Sequence, residues 1–239
     1  MTEKQTPIVQ EKDIIDQTID YVKTSLAEAE AGHDWFHIER VWKNAREIYR
    51  QETSGPEAAG HTAENDLVPY GLVIELGALL HDIADSKFHG GDENLGPARA
   101  RAFLTSLEVE EAIIFHVEQI IRHISFKGGK NAGVFRSKEL DIVQDADRLD
   151  AIGAIGIARA FHFGGYKNRK MYDPAVPPNL NMSKEEYKIS NAPTINHFYE
   201  KLFRLKALMN TTAGREMAAE RHRFMEQFIE QFYKEWEGR

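Results

Sequence analysis

Residues 70–82 read YGLVIELGALLHD. Leu72, Leu76, Leu79 and Leu80 recur at intervals of three and four, the spacing that stacks side chains on one face of a helix. Pro69, just ahead of them, suits a first helical turn. The same period continues on both sides. Ile15, Ile19, Val22 and Leu26 predict a helix before it, and Asp34 as N-cap predicts another through Phe36, Ile38, Val41, Trp42, Ala45, Ile48 and Tyr49. Residues 54–66, SGPEAAGHTAEND, have loop composition. Further helices are expected over 97–106, 109–122 and 137–163. A Gly/Pro-rich and then polar stretch follows, and amphipathic helices close the chain over 195–210 and 215–236. No alternating strand pattern and no fixed repeat occurs. The expectation is an all-α protein of one domain, 1–239, with a long loop or lid, or a disordered segment, near residues 164–192.

Composition narrows the class. The 239 residues carry 30 basic and 38 acidic side chains, a net charge of −8, which argues against a protein built to wrap nucleic acid. Hydrophobic residues at 42% are too many for a disordered chain. The absence of cysteine excludes a disulfide framework, a zinc ribbon and a thiol nucleophile. The start, MTEKQTPIVQEKD, has no basic segment followed by an apolar one. The longest apolar passage, 67–80, contains Pro69 and Glu75 and falls short of the ~20 residues a membrane span needs. A soluble cytoplasmic protein is expected; homo-oligomerisation is left open.

Several chemistries are excluded by motif. There is no Gly-x-Gly-x-x-Gly, no His-Glu-x-x-His and no Gly-x-Ser-x-Gly, and residues 128–131, GGKN, lack the Ser/Thr and glycine spacing of a P-loop. His81-Asp82 stands out by its setting. Two ionisable neighbours ending an apolar helix are costly unless bonded or metal-bound. Adjacent residues on a helix diverge by ~100°, yet both can converge on an ion beside the helix end. Other helices offer further ligands: His37, on the face that carries Val41 and Ile48, and Asp147, just before the apolar run AIGAIGIA. Two imidazoles and two carboxylates form a mixed N/O set suited to Mn2+, Fe2+, Co2+ or Ni2+.

The order His37…His81-Asp82…Asp147 resembles the H…HD…D signature of the HD-domain metal-dependent phosphohydrolases. The phrases HDWFHIERVW, ALLHDIADSKF, IIRHISFKGG and VQDADRLDAIGAIGIAR are similar to a small bacterial branch that includes manganese-dependent nucleoside-triphosphate pyrophosphohydrolases. The likeness is strong over residues 32–165 and weaker through the C-terminal extension, 193–239. It implies an HD-type helical bundle and selects His37 over His33 as first ligand, because His37 precedes Arg40-Val41-Trp42. It implies one divalent ion, expected to be Mn2+ with Mg2+ as a further option, on His37, His81, Asp82 and Asp147. It also implies a catalytic Asp85 beside the attacking water, and Lys87 on a phosphate. The substrate implied is a small phosphorylated molecule, first of all a nucleoside triphosphate cleaved to monophosphate and pyrophosphate. A nucleoside monophosphatase or phosphodiesterase on the same site is the alternative. A nonhydrolytic nucleotide- or partner-binding protein is the alternative of another class.

Several basic residues remain double-sided. Arg40 reaches either a phosphate or a carboxylate. His123 is expected near substrate, and His116, seven residues earlier on the same face, has a structural role or joins His123 on a second metal. Asp150 shares a face with Asp147 and is expected to support the site without being a ligand. Arg221 occupies an apolar slot in the stripe Met217, Arg221, Phe224, Phe228, Phe232 and requires a phosphate or a buried acid as partner. Lys127, Lys206 and Arg221 are the expected donors to a polyphosphate tail. The run AIGAIGIA is expected to allow close helix packing.

Overall fold

The computed structural model describes residues 11–27, 34–54, 70–84, 92–124, 135–183, 186 and 189–239. Its regular elements are helical, with no strand among the described residues. They are α1 (Glu11–Ser25), α2 (Trp35–Ser54), α3 (Tyr70–Leu80), α4 (Leu95–Ser106), α5 (Glu111–His123), α6 (Lys138–Asp150) and α7 (Gly153–Tyr166). A segmented run follows: α8 (Thr194–His197), a π-helical turn (Phe198–Leu202), α9 (Phe203–Leu205) and a 3-10 turn (Lys206–Leu208). The long α10 (Thr212–Trp236) ends the chain. No described helix is long and apolar enough to cross a membrane.

α3 is the centre of the bundle. Leu72, Val73, Ile74, Leu76, Ala78, Leu79 and Leu80 are all buried, and the helix packs against α1, α2, α5 and α6. A helix apolar around most of its circumference belongs inside. α2 buries His37, Ile38, Val41, Ala45 and Ile48, and Asp34 Oδ1 caps it by accepting from His37 N at 3.0 Å. Ser137 caps α6 in the same way, accepting from Leu140 N at 3.1 Å.

The helix expected over 137–163 is two helices. The chain turns at Ala151-Ile152, and Gly153 takes φ +75°, a conformation that costs a residue with a Cβ. Gly156 then permits the close return, since a Cβ there would stand 2.2 Å from Ala151 O. The glycines of AIGAIGIA thus serve close packing and a change of direction, the second of which periodicity does not reveal.

The stretch after α7 is strapped onto the C-terminal helices through its described residues. Lys170 O and Met171 O accept from Thr194 N and Ile195 N, each at 2.9 Å. Asn196 Nδ2 donates to Val176 O at 3.0 Å, and the Tyr172 ring lies 5.2 Å from Tyr233 and 5.1 Å from Trp236. The C-terminal stripe is also rotated from expectation. α10 buries Ala218, His222, Met225 and Ile229, whereas Phe224 is exposed. Phe228 keeps its inward position, 5.9 Å from Phe161 and 6.0 Å from Phe198.

Candidate metal centre

Three helices meet at one point. The first turn of α2 supplies His37, the turn leaving α3 supplies His81, and the last turns of α6 supply Asp147 and Asp150. His37 Nε2 is 3.7 Å and His81 Nε2 4.0 Å from the same Asp147 Oδ1. One ligand atom from each of the three residues lies within 4.8 Å of the other two. The imidazole rings meet edge to face, with centroids 5.3 Å apart. Both histidines are buried, while the Asp147 side chain is 39% exposed and opens the group to solvent on one side.

The hydrogen bonds on the far side of each ring decide what the near side can do. His81 Nδ1 lies 2.8 Å from Ala78 O, and a carbonyl only accepts, so the proton is on Nδ1. His37 Nδ1 lies 2.8 Å from Asp150 Oδ2 with the same consequence. In its neutral form each ring turns the lone pair of Nε2 toward Asp147. Burial holds His37 below the ordinary imidazole range, with His81 and Arg159 adding to that and Asp150 and Asp147 pulling the other way. Two imidazole nitrogens and one carboxylate aimed at a common point fit a divalent transition metal.

Asp150 anchors this arrangement. Its side chain is 1% exposed and is held by Arg40, whose Nε and Nη2 lie 2.5 and 3.1 Å from its oxygens, and by Arg159 Nη1. Burial alone would raise its carboxyl. The bonds from His37 and Arg40 and the charge of Arg159 outweigh that and hold it well below the usual carboxylate range.

The expected site residues divide as follows. His37, His81 and Asp147 converge. Asp82 lies next to His81 and is half-buried, but its carboxylate is not among the three that converge. Asp85, Lys87 and Lys127 lie outside the described residues. Arg40 takes the carboxylate of its two alternatives. His123 Nδ1 meets Gln119 O at 2.8 Å and its ring lies 5.7 Å from Phe135. His116 Nε2 meets Ser137 Oγ at 2.8 Å and Glu139 at 3.3 Å, a structural tie between α5 and α6. Lys206 acts on His222, on α10, lowering its proton affinity after burial has done so. Arg221 turns its fork to a main-chain carbonyl and a side-chain amide oxygen, with the charge of buried Asp150 acting on it from further off. It donates to Leu149 O at 2.6 Å and to Asn44 Oδ1 at 2.9 Å, capping the end of α6 and joining it to α2.

Arg159 was not singled out from the sequence. In one continuous helix, nine residues separate its Cα from that of Asp150 by about 13 Å. The break at Gly153 turns α7 back and brings the two side chains together. A glycine pair interrupting an otherwise helical run was the available signal.

The fold and this constellation define a class. The HD domain family matches residues 35–152, the span that carries every described donor of the centre. The chain belongs to the HD superfamily of hydrolases, a family of metal-dependent phosphohydrolases. Among solved structures it is similar to an HD-superfamily hydrolase from Bacillus thuringiensis, with 42% identity and a TM-score of 0.72 over 96% of this chain and all of that one. A Lactobacillus plantarum protein is 34% identical, with a TM-score of 0.73 over the full length of both. The Bacillus subtilis protein YpgQ is 36% identical over 228 residues, 91% of each chain. Its structure has been solved in complex with ADP and matches with a TM-score of 0.70, covering 94% of this chain and 96% of that one.

Proposed function

We propose that this hydrolase cleaves nucleoside triphosphates to the monophosphate and pyrophosphate, with Mn2+ as its metal. The observation that carries the reading is the pair of Nδ1–H imidazoles whose Nε2 atoms converge on Asp147. The ADP complex of the relative YpgQ supports a nucleotide as ligand. His37, His81 and Asp147 would hold the ion, with Asp82 as fourth ligand after a change of rotamer. When bound, a divalent ion supplies Lewis-acid stabilisation of a phosphoryl oxygen and acidifies water.

The chain's own groups have distinct tasks. Asp85, three residues beyond Asp82, takes the proton of the attacking water as its oxygen bonds to the α-phosphorus; the bond to the bridging oxygen breaks, and pyrophosphate leaves. Arg40, bonded to Asp150 through Nε and Nη2, would meet a phosphate with the remaining edge of its guanidinium. Asp147 holds the open side of the group, where substrate must enter.

A metal-by-substrate screen with separated products tests this. Pyrophosphate from a triphosphate, dependent on Mn2+, is the expected result. Orthophosphate alone would move the assignment to a nucleotidase. Asp85→Asn should keep the metal and lower kcat by roughly 10²–10⁴, the usual effect of losing a positioned acid–base group.

A further inference from the structure

The structure assigns to Asp150 the task of fixing the tautomer and aim of His37, and through it the affinity of the His37–His81–Asp147 group for a divalent ion. This positioning role rests on the metal reading above. A neutral imidazole has one proton for two nitrogens, and the partner of one nitrogen decides what the other can do. At 2.8 Å from Nδ1, an ionised Asp150 favours the Nδ1–H form, because the other tautomer would set a lone pair against a carboxylate and gain in return only the longer 3.5 Å contact from Arg159 Nη1. Nε2 is then left as a donor of electrons, 3.7 Å from Asp147 Oδ1.

Two features separate this contact from an ordinary buried ion pair. The first is that the carboxylate cannot relax by taking the proton from His37. Arg40 on α2 and Arg159 on α7 both bond to it and keep it charged at 1% exposure. The second is the contrast with His81. That ring is aimed by a main-chain carbonyl, Ala78 O, which side-chain substitution does not remove. The centre thus holds one imidazole set by the backbone and one set by a side chain, and the first is an internal control for the second.

An amide at this position is informative. The Oδ2 position of Asp150 faces His37 Nδ1, Arg40 Nη2 and Arg159 Nη1, whereas the Oδ1 position faces Arg40 Nε. Asparagine keeps more bonds by leaving its oxygen at the Oδ2 position, so His37 retains a neutral and weaker acceptor. Alanine leaves none. The effect on His37 is therefore graded, smaller for Asp150→Asn and larger for Asp150→Ala.

The ring-nitrogen 15N shifts of metal-free protein, with Mn2+ titration calorimetry of the same samples, test the assignment. Wild type should show His37 and His81 as Nδ1–H. In Asp150→Asn, Mn2+ should bind about 10–100-fold more weakly, the usual cost of losing such a partner. In Asp150→Ala, His37 should populate Nε2–H while His81 does not change. Circular dichroism confirms that each variant is folded; should alanine unfold, the asparagine variant carries the test. A lower melting temperature with unchanged Mn2+ affinity and unchanged His37 shifts would reduce Asp150 to a structural ion pair and overturn the assignment. Wild-type protein that binds no Mn2+ would sink the metal reading itself, independently of the tautomer result.

Discussion

Asp145→Ala should destabilise the protein by about 3–5 kcal/mol, the range for removing one partner of a buried charged pair. The Asp145 side chain has no exposure and ties α6 to the entrance of α10. Both of its oxygens lie 2.9 Å from Asn210 N, and it also accepts from Asn210 Nδ2 at 3.2 Å, Thr211 N at 2.8 Å and Thr211 Oγ1 at 2.9 Å. Arg148 Nη1 adds a charge at 3.3 Å. Hydrogen bonds to a charged group contribute about 1.5–3 kcal/mol each, but those that share one acceptor are lost together, which keeps the total below their sum. For a chain of this size about 2–4 °C is lost per kcal/mol, so the melting temperature should fall by about 6–20 °C. Urea unfolding measures the loss, and a Mn2+ titration of the same sample should show the centre intact while the protein is folded. A loss below about 1 kcal/mol would refute the account of Asp145 as the clamp between α6 and α10. Gly214 supplies a second check, because a Cβ there would lie 2.4 Å from Asp145 Oδ2. Gly214→Ala should therefore cost less in the Asp145→Ala background than in wild type.

Asp147→Ala should abolish Mn2+ binding with little change in melting temperature, because its side chain is 39% exposed; equal metal content in variant and wild type would remove it from the ligand set. Arg221→Ala should destabilise by about 1–3 kcal/mol by uncapping Leu149 O. The ratio of KM for triphosphate to KM for monophosphate should stay the same, and a selective rise for the triphosphate would restore Arg221 as a phosphate ligand. Burial depresses the proton affinity of His37, so below pH ~6.5 the unfolded imidazole takes a proton that the folded one refuses. Its contribution to metal-free stability is complete above that pH and is lost as pH falls through the lowered folded value; His37→Gln should flatten the melt-versus-pH curve, and an unchanged slope would contradict the shift. Gly153→Ala should cost about 1–3 kcal/mol, since its φ is +75° and its Cβ would meet Arg221 Cγ at 3.0 Å; a neutral effect in urea unfolding would show that the turn tolerates a side chain.

Local chemistry was legible wherever a residue's role depends on its neighbours along the chain. The period of three and four in residues 70–80 placed the central helix, and Asp34 announced the start of α2 because a cap acts on the next turn. His37, His81, Asp82 and Asp147 could be chosen as a set because each stands on a face, or at an end, of a strongly patterned helix, and three of the four converge. Their order along the chain also resembled a known family. The same reasoning reached Asp150 as a supporting residue. It stopped at Arg159 and at the partners of Arg221, where the pairing crosses a change of direction or joins separate helices.

What the chain suggested by itself was the composition of the centre: two imidazoles and two carboxylates on patterned helices, three of which converge, with Asp150 one turn beyond Asp147. Tertiary structure decided how those groups are wired. The turn at Gly153, with φ +75° and a Cβ-free Gly156 against Ala151 O, folds α7 back so that Arg159 meets Asp150. Arg40 closes on the same carboxylate from α2, and Arg221 is spent on a helix end. Helical periodicity reports which face a side chain takes on its own helix. It is silent on which other helix that face will meet, because that depends on backbone direction at a turn and on close packing among residues far apart in the chain.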